Sequence, residues 1–356
     1  MYRDHTVGVV IPAYNEERLI GTVLETVPPF VDRVYVIDDG SSDDTWAEIT
    51  HHAEHLNEEY RSSIEGPSTE TDGGIAFDSW IVPICHEHNC GVGGAIKTGY
   101  TAALDDKLDI TAVMAGDAQM DPDVLSWLLD PIVEDQADYT KANRLLSREF
   151  RQGMSTWRFF GNSILSLLTK IASGYWKTMD PQNGYTAISN EALTAIEIQG
   201  LYEYYGYCNH LLVRLNAWEM RVADVAIPAI YGTEQSGIMY PKYIRKVSLM
   251  LLSSFLWRLK VRYLVTDFHP LALFYYIGAT TTASGMFGGL WALYAKVTRD
   301  EPLFLRIVSS LVLVALGWLF MLFAMIFDME INQGKEVQIG QESLNTDVES
   351  DGASEP

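Results

Sequence analysis

Four short apolar segments, each followed by a helix-like segment, dominate the first third of the 356-residue chain. They lie at about 5–12, 31–37, 79–85 and 110–115. Strands that alternate with helices predict a mostly parallel sheet with helices on both faces. Ligands of such sheets bind at the carboxyl ends of the strands. Because Asp38, Asp39 and Asp117 fall at such ends, the sequence predicts an α/β domain with a polar binding site at one edge.

The chain is strongly acidic, with 25 Lys and Arg against 47 Asp and Glu and a formal net charge of −22. Phosphate backbones require a basic surface, so nucleic acid is excluded as a partner. Dense charge also keeps a protein hydrated at high salt, which leads to the hypothesis of a halophilic source. Activity that is highest at low salt would count against it. Cys85, Cys90 and Cys208 show no metal-like pairing and fit a reducing cytosol.

Two uncharged apolar runs lie near the C-terminus, at about 271–294 and 307–327. About 20 apolar residues of helix span the hydrocarbon core, and a short polar connector joins the two runs. The segment 269–327 is therefore predicted to be a transmembrane hairpin of a multi-pass cell-membrane protein; two buried core helices are the alternative. Basic residues before the first run favour a cytoplasmic soluble domain. They are Arg258, Lys260 and Arg262.

The segments that flank the hairpin differ in composition. Residues 236–268 mix basic, aromatic and aliphatic side chains, which predicts amphipathic interfacial helices with basic groups near lipid phosphates. A helix packed on the soluble domain is the alternative. The acidic residues 328–356 predict a disordered tail. Within the globular domain, 1–235, the polar stretch 58–79 predicts a surface insertion.

Two motifs follow the first two strands, Ile-Pro-Ala-Tyr-Asn-Glu-Glu at 11–17 and Asp-Asp-Gly-Ser-Ser-Asp-Asp-Thr at 38–45. At this spacing they resemble family 2 glycosyltransferases of the Rossmann-like GT-A fold, over roughly residues 6–245. The branch with the most similar features is that of the dolichyl-phosphate mannose and glucose synthases with C-terminal membrane helices. The resemblance implies transfer of a sugar from a UDP- or GDP-sugar to a polyprenyl (dolichyl) phosphate, with inversion, at the cytoplasmic membrane face, for glycan or protein glycosylation.

The resemblance also assigns the residues that bind the nucleotide sugar. Asp39 matches the acid that contacts the base or ribose, and Lys97, one turn into the next helix, is placed to approach a phosphate or to face solvent. Free N–H groups at the start of that helix offer an anion site. The other matches in the donor loops are Pro12, Tyr14, Glu16, Asn89, Gly91 and Gly94.

The metal motif departs from the family pattern. Ala115 stands where the family has its first Asp, while Asp117 and Gln119 match the second Asp and the Gln. Mg²⁺ and Mn²⁺ take oxygen ligands, several of which a donor diphosphate can supply. We therefore expect Asp117 and Gln119 to hold Mg²⁺ or Mn²⁺, with Asp117 also contacting the donor and acting in catalysis.

The resemblance places the lipid phosphate against a second set of residues. Arg144 and Arg158 are candidate catalytic cations, because a guanidinium presents a planar fork to phosphate oxygens. The remaining candidate acceptor-binding residues are Asn143, Asp180, Gln182, Asn183, Ser236 and Lys242.

The acceptor itself decides between alternatives. A sugar hydroxyl needs a base as it attacks, and residues 206–210 carry no acid in the matching place. A lipid phosphate is already anionic and needs cations instead. Extension of a lipid-linked glycan, with His210 or Glu203 as base, stays open. A catalytically inactive donor-binding scaffold also stays open, because Ala115 and Cys208 stand at positions that are often acidic in the family. A transporter lacks intramembrane charge, and pairing of two copies through the hairpin is left open.

Overall fold

The computed structural model of the chain describes residues 1–64, 77–144, 146, 156–227, 240–300 and 302–340, without the side chains of 64, 156–162 and 240–242. Its centre is an eight-stranded sheet of order β3-β2-β1-β4-β6-β5-β7-β8. All strands run parallel except β6, which is antiparallel to β4 and β5. The strands are β1 (Val7–Ala13), β2 (Arg33–Asp38), β3 (Ile81–Cys85), β4 (Ile110–Val113), β5 (Tyr139–Asn143), β6 (Thr186–Ser189), β7 (Val222–Ala226) and β8 (Glu336–Ile339).

Helices cover both faces of this sheet, as the sequence predicts. Successive residues of a strand point to opposite faces. Val9 and Ile11 of β1 accordingly pack with α1, α2 and α4, whereas Val10 packs with α3, α6 and α7. The helices of the described ranges are α1 (Ile20–Glu25), α2 (Thr45–Ile64), α3 (Val92–Asp105), α4 (Leu125–Val133), α5 (Thr156–Ser173), α6 (Asn190–Ala195), α7 (Tyr207–Ala217), α8 (Tyr240–Lys260), α9 (Pro270–Arg299) and α10 (Phe304–Asn332).

Two segments predicted to be irregular are partly regular. Helix α2 continues to Ile64, into the predicted insertion 58–79. The start of the predicted disordered tail, 328–356, is also ordered, because α10 runs to Asn332 and β8 then pairs in parallel with β7. Strand β8 covers an otherwise open sheet edge with the β-branched residues Val337 and Ile339. Residues 65–76 and 341–356 lie outside the described part of the chain.

Helices α9 and α10 form an antiparallel pair held by small residues. Those at the contact recur every seven residues and are buried: Gly278, Gly285 and Ala292 in α9, and Ser310, Gly317 and Ala324 in α10. Small residues let two backbones approach closely, which is how helices pack in membranes. Within the described residues, Phe304–Lys335 is the one helix long and apolar enough to cross a membrane. Helix α9 is long enough but less apolar, because it contains several threonines and four glycines.

Gly278→Ala is expected to destabilise this pair, because the added Cβ would lie 2.8 Å from the Gly317 carbonyl oxygen. Overpacking of this kind costs about 1–3 kcal/mol. The matched control is Gly289→Ala, whose Cβ would meet Ser310 at an ordinary 3.6 Å. Both changes gain the same intrinsic helix propensity. Thermal unfolding in detergent should therefore give a lower midpoint for Gly278→Ala alone; equal midpoints would contradict this packing.

Helix α8 has two different faces. Val247 and Leu251 are buried on one face, where they pack with Leu165 of α5 and Val213 of α7. The structure thus confirms, for this face, the alternative of a helix packed on the globular domain. The opposite face is exposed and mostly apolar, with basic ends: Arg245, Leu249, Leu252, Leu256 and Lys260. An interfacial location stays a prediction for that face alone.

Arg258 and Arg262 do not face lipid, which corrects the prediction made for them. Arg258 is fully buried and donates to both carboxylate oxygens of Asp328 in α10, at 3.1 and 2.8 Å. Arg262, in the single π-helical turn Val261–Thr266 after α8, bonds to the Asn332 side chain at 2.9 Å. Both guanidinium groups thus bond to side chains about 70 residues away in the sequence, Asp328 and Asn332. The end of the hairpin is therefore tied to the globular domain by buried charge.

Candidate donor and acceptor site

The strand order brings the candidate residues to one edge of the sheet. The carboxyl ends of β1 to β5 and the amino end of the antiparallel β6 share this edge. Pro12–Glu16 lie at the end of β1, Asp38–Asp39 at the end of β2, and Asp117–Gln119 beyond β4. Asn143–Arg144 end β5, and Asp180–Asn183 precede β6. This is the edge at which ligands of such sheets bind.

Hydrogen bonds from backbone N–H groups to side-chain oxygens connect the first two motifs. Asn15 adopts a left-handed conformation with φ 59°, and its side chain accepts the N–H of Ser42 at 2.8 Å. The N–H of Glu16 donates to Thr45 Oγ1 at 2.7 Å. Tyr14, next to this turn, leaves about half of its side chain exposed. These hydrogen bonds fix the conformation of the loop after β1, and Tyr14 in that loop is accessible to a ligand.

Asp39 is fully engaged inside the protein. One carboxylate oxygen accepts the N–H of Cys90 and the other that of Gly91, both at 2.8 Å. His86 Nδ1 also lies 2.8 Å from the first of these oxygens. Asp39 therefore fixes the turn between β3 and α3, and His86 joins it there. The sequence assigned this acid to the donor base or ribose; that role stays a prediction beside the internal one.

The glycine turn is closed by another part of the chain. Gly91 begins α3 with φ 87°, and a Cβ on Gly91 or Gly93 would collide with the 202–203 backbone. The N–H of Gly94 donates to the Glu203 carbonyl at 3.0 Å. Lys97 forms an ion pair of 2.5 Å with the Glu203 carboxylate. Glu203 thus engages the Gly94 N–H and Lys97 within the protein, and the anion site at the start of α3 stays a prediction.

Asp117 sits in a tight turn after β4. Its Oδ1 accepts the N–H of Gln119 at 3.1 Å, and Ala118 between them is left-handed, with φ 55°. Burial raises the pKa of the Asp117 carboxyl, which hydrogen bonds from the turn oppose. A partly buried carboxylate beside an amide suits a hard divalent cation, which would restore the anionic form. With Ala115 in place of an acid, further oxygen ligands for such a cation would have to come from the donor or from water.

Arg144 is held in a fork by Asp180. Its Nε and Nη2 atoms donate to the two carboxylate oxygens of Asp180 at 2.7 and 2.9 Å. Burial alone raises the pKa of Asp180, but the hydrogen bonds and charge of Arg144 lower it below its usual value. Asp180 is buried, while the Arg144 side chain remains 32% exposed. Two candidate residues that were predicted separately thus form one ion pair, in which Asp180 fixes the orientation of the Arg144 guanidinium.

A buried polar cluster missed by the sequence analysis lies beneath this pair. Asp224 of β7 accepts from Asn143 at 2.6 Å and pairs with Lys141 at 3.1 Å. Asn143 is fully buried and its amide is bonded to Asp224, so its contact with an acceptor stays a prediction. A Lys and an Asn within one predicted strand were the signal in the sequence that could have indicated this buried cluster. Their partner Asp224, 81 residues from Asn143, gave no such signal.

The turn before β6 supplies an unpaired donor. Gln182 Nε2 is shielded from solvent and has no hydrogen-bond partner within the described ranges. Such groups are rare in folded proteins unless a ligand or water completes them. Asn183 instead shapes the turn, since its Oδ1 accepts the N–H of Tyr185 at 3.0 Å. Gln182 is therefore the better placed of the two for a ligand contact.

The two titratable side chains at 208 and 210, in the stretch where a base was sought, have pKa values that keep them neutral near pH 7. Burial raises the pKa of the Cys208 thiol to about 11, and its Sγ lies 3.5 Å from the Asn183 carbonyl oxygen. Burial, with Arg214 nearby, lowers the pKa of His210 to about 4. His210 Nδ1 already accepts the N–H of Tyr202. Neither group is equipped to remove a proton from a hydroxyl. Ser236 and the side chains of Arg158 and Lys242 lie outside the described residues.

Known proteins are similar to this chain in sequence or in architecture. An uncharacterized protein of Methanocaldococcus jannaschii is 27% identical over 229 residues, which cover 64% of this chain and 82% of that protein. Glucosyl-3-phosphoglycerate synthase from Mycobacterium tuberculosis, solved in complex with UDP, superposes with a TM-score of 0.51 at 20% identity. That match covers 71% of this chain and 80% of that structure and confirms the GT-A fold.

A functionally named relative is more similar in sequence. It is the UDP-N-acetylglucosamine–dolichyl-phosphate N-acetylglucosaminyltransferase of Methanococcus voltae, 30% identical over 234 residues. The match covers 65% of this chain and 88% of that protein. The model of the family described as Glycosyl transferase family 2 matches residues 8–196, more than half of the chain. This chain is therefore a glycosyltransferase and belongs to family 2.

Proposed function

We propose that this glycosyltransferase transfers a sugar from a nucleotide sugar to a polyprenyl phosphate such as dolichyl phosphate, with inversion at the anomeric carbon. The observation that carries the proposal is Arg144, held by buried Asp180 yet partly exposed at the ligand-binding edge. A guanidinium oriented in this way suits a phosphate. The name of the Methanococcus voltae relative supports the same acceptor and makes UDP-N-acetylglucosamine the first donor to test.

The chemistry needs no general base. An oxygen of the lipid phosphate forms a bond to C1 of the sugar while the bond between C1 and the nucleoside diphosphate breaks. The nucleophile is already anionic, so no proton has to leave it, which agrees with the neutral Cys208 and His210. Arg144 offsets the charge of the acceptor as it approaches the donor diphosphate and holds it in line.

The leaving diphosphate must be neutralised as well. We place a Mg²⁺ or Mn²⁺ ion at Asp117 and Gln119, where it would supply Lewis-acid stabilisation of the leaving group. The turn that presents Asp117 Oδ1 to the N–H of Gln119 at 3.1 Å keeps both side chains on one short loop. Tyr14 and the β1 loop are the proposed contacts to the nucleotide part of the donor.

The position of β8 supports two membrane crossings. Strand β8 follows α10 and pairs with β7 in the catalytic sheet, so both ends of the hairpin lie on the side of the catalytic domain. If α10 crosses the bilayer, the chain must cross an even number of times, and α9 is the other crossing. Helices of 30 and 29 residues extend about 45 Å, at roughly 1.5 Å per residue, enough for the hydrocarbon core.

The exposed face of α8 completes the proposed membrane contact. Leu249, Leu252 and Leu256 are each about half exposed, with Arg245 and Lys260 exposed at the two ends of the row. An apolar stripe with basic ends suits the boundary between headgroups and acyl chains. The catalytic domain then lies on the cytoplasmic surface, where anionic lipids attract such cations.

Arg144→Lys tests the acceptor assignment. The ammonium keeps the charge but loses the fork, so we expect the KM for dolichyl phosphate to rise about 10-fold or more, with the donor KM within about twofold. Arg221→Lys is the matched control, since Arg221 makes a similar fork with Asp138 at 35% exposure on the opposite edge of the sheet. Initial rates at varied lipid concentration supply both constants. An unchanged lipid KM in Arg144→Lys would rule out this role.

Glycan extension through a sugar hydroxyl remains a second candidate, because Glu203 lies against the glycine turn. Its carboxylate pairs with Lys97 and would have to leave that lysine to act as a base. The two candidates differ in their response to Glu203→Gln. Loss of most turnover would favour a hydroxyl acceptor, whereas transfer to a phosphate should survive in this variant.

A further inference from the structure

We propose that Glu336 is a positioning residue for the lipid-phosphate acceptor, so that the strand after the membrane hairpin completes the acceptor site. This inference rests on the proposed function and deepens it. Glu336 opens β8, four residues after the end of α10, and none of the sequence motifs includes it.

Glu336 binds three successive backbone N–H groups. Its Oε1 accepts from Trp176 at 2.8 Å, and its Oε2 accepts from Lys177 at 2.6 Å and Thr178 at 2.8 Å. Successive N–H groups that converge in this way form a cavity for an anion. Here the anion belongs to the protein itself and is 8% exposed. The segment 176–178 has no regular secondary structure of its own, so the carboxylate supplies the acceptors that a helix or strand would otherwise provide.

The segment 176–178, which Glu336 binds, continues into the residues that hold Arg144. The N–H of Met179 donates to Asp224 at 2.7 Å, and the carbonyl of Asp180 accepts from Lys141 at 3.2 Å. The Asp180 side chain then holds Arg144 in its fork. Consecutive contacts thus connect Glu336 to the partly exposed guanidinium of Arg144. Asp180 has φ 47°, a strained conformation that its neighbours must maintain.

The same strand is joined to the membrane hairpin. Helix α10 ends at Asn332, and its last turns carry Asp328, which is paired with buried Arg258. Glu336 therefore ties the acceptor loop to the part of the chain that leaves the bilayer. A polyprenyl phosphate presents its phosphate at the bilayer surface, and Arg144 must meet it at a fixed height. The contact made by Glu336 sets that height by linking the loop to the anchor.

Glu336→Gln tests the proposal. The amide has one acceptor oxygen and would turn an NH₂ group toward backbone N–H donors. We expect the KM for polyprenyl phosphate to rise roughly 10-fold while the donor KM stays nearly unchanged, and the thermal midpoint to fall as well, because buried N–H groups lose an acceptor. Hydrogen exchange of the 176–180 amides should accelerate in the same variant, and Glu336→Asp, which keeps the carboxylate, should recover part of the lipid affinity.

Two controls separate positioning from simple docking of the strand. Gln338→Ala removes the neighbouring contact of β8 to the Lys177 carbonyl at 2.9 Å, and Glu330→Gln removes a charge from an exposed site on α10. Neither should change the lipid KM. Faster exchange at 176–180 with an unchanged lipid KM would overturn the proposal, as would equal losses for lipid and donor. If the wild type transfers to another acceptor, the proposed function fails, and the same comparison with that acceptor decides the role of Glu336.

Discussion

Replacement of Asp117 by Asn is expected to reduce sugar transfer by about 100-fold or more, the usual scale for loss of a group that stabilises developing charge. Asp117 is the acid retained in a metal motif whose first position is Ala115. With one carboxylate in the motif, its loss leaves Gln119 as the remaining ligand from this loop. Turnover measured across a Mg²⁺ or Mn²⁺ titration should show that the variant has lost most of its metal response.

The matched control is Asp121→Asn in the same loop. Asp121 Oδ1 accepts the N–H of Asp123 at 3.0 Å, at the start of a short 3₁₀ turn, and Asn performs this capping role equally well. The charge change is identical, yet turnover should stay within about twofold of the wild type. Similar losses in both variants would show that general acidity of the loop, and not a ligand at Asp117, is responsible.

The same residue gives a pH dependence with a defined sign. Burial raises the pKa of Asp117, so a proton competes with the cation at a higher pH than it would for an exposed Asp. Metal-dependent activity should therefore decline as pH falls through this raised pKa, and added metal should shift the decline to lower pH. Activity measured at two metal concentrations checks both statements.

Asp328→Ala is expected to produce the largest loss of stability, because it leaves the guanidinium of Arg258 buried without its partner. Both side chains are 0% exposed, and breaking a buried pair costs about 3–5 kcal/mol. For a chain of this size we expect the unfolding midpoint in detergent to fall by roughly 10 °C. Asp328 also accepts from Tyr263 at 2.8 Å, which adds to the loss.

A double variant and a surface control sharpen this test. Asp328→Leu combined with Arg258→Met removes both charges together and should recover much of the stability, since apolar replacements of buried pairs are often neutral. Asp300→Asn, which breaks the exposed pair with Lys296, should change stability by less than about 1 kcal/mol. If Asp328→Ala behaved like Asp300→Asn, the buried network would not hold the hairpin to the catalytic domain.

Much of the catalytic domain is predictable because its signals are local. Alternating apolar segments predicted the parallel sheet, and the acids after β2 and β4 predicted which edge carries the site. Arg144 and Asp180 were both identified from short motifs. Their direct pairing was not, because it depends on β6 running against its neighbours and so bringing its first residues to the same edge.

The features that the sequence did not predict depend on long-range contacts. Glu336 lies 160 residues from Trp176, and a short acidic segment by itself resembles a disordered tail. In the sequence Arg258 lies among basic and aromatic residues typical of a lipid interface. In the fold it pairs with Asp328, which is 70 residues away. The glycine turn is predicted to meet a phosphate, and the sequence did not indicate that Glu203 also bonds to it. In each case a distant partner changes the role that local composition suggests.

The most direct test of the central claim is a competition between acceptors. Purified protein in detergent would receive labelled UDP-N-acetylglucosamine with equal amounts of dolichyl phosphate and of its glycosylated form, in the presence of Mn²⁺. We predict label on dolichyl phosphate, in a product whose sugar C1 is bonded to the phosphate with inverted configuration, and a lower yield of this product in Arg144→Lys. Label that extends the glycosylated lipid through a sugar hydroxyl, with dolichyl phosphate unchanged, would contradict the account.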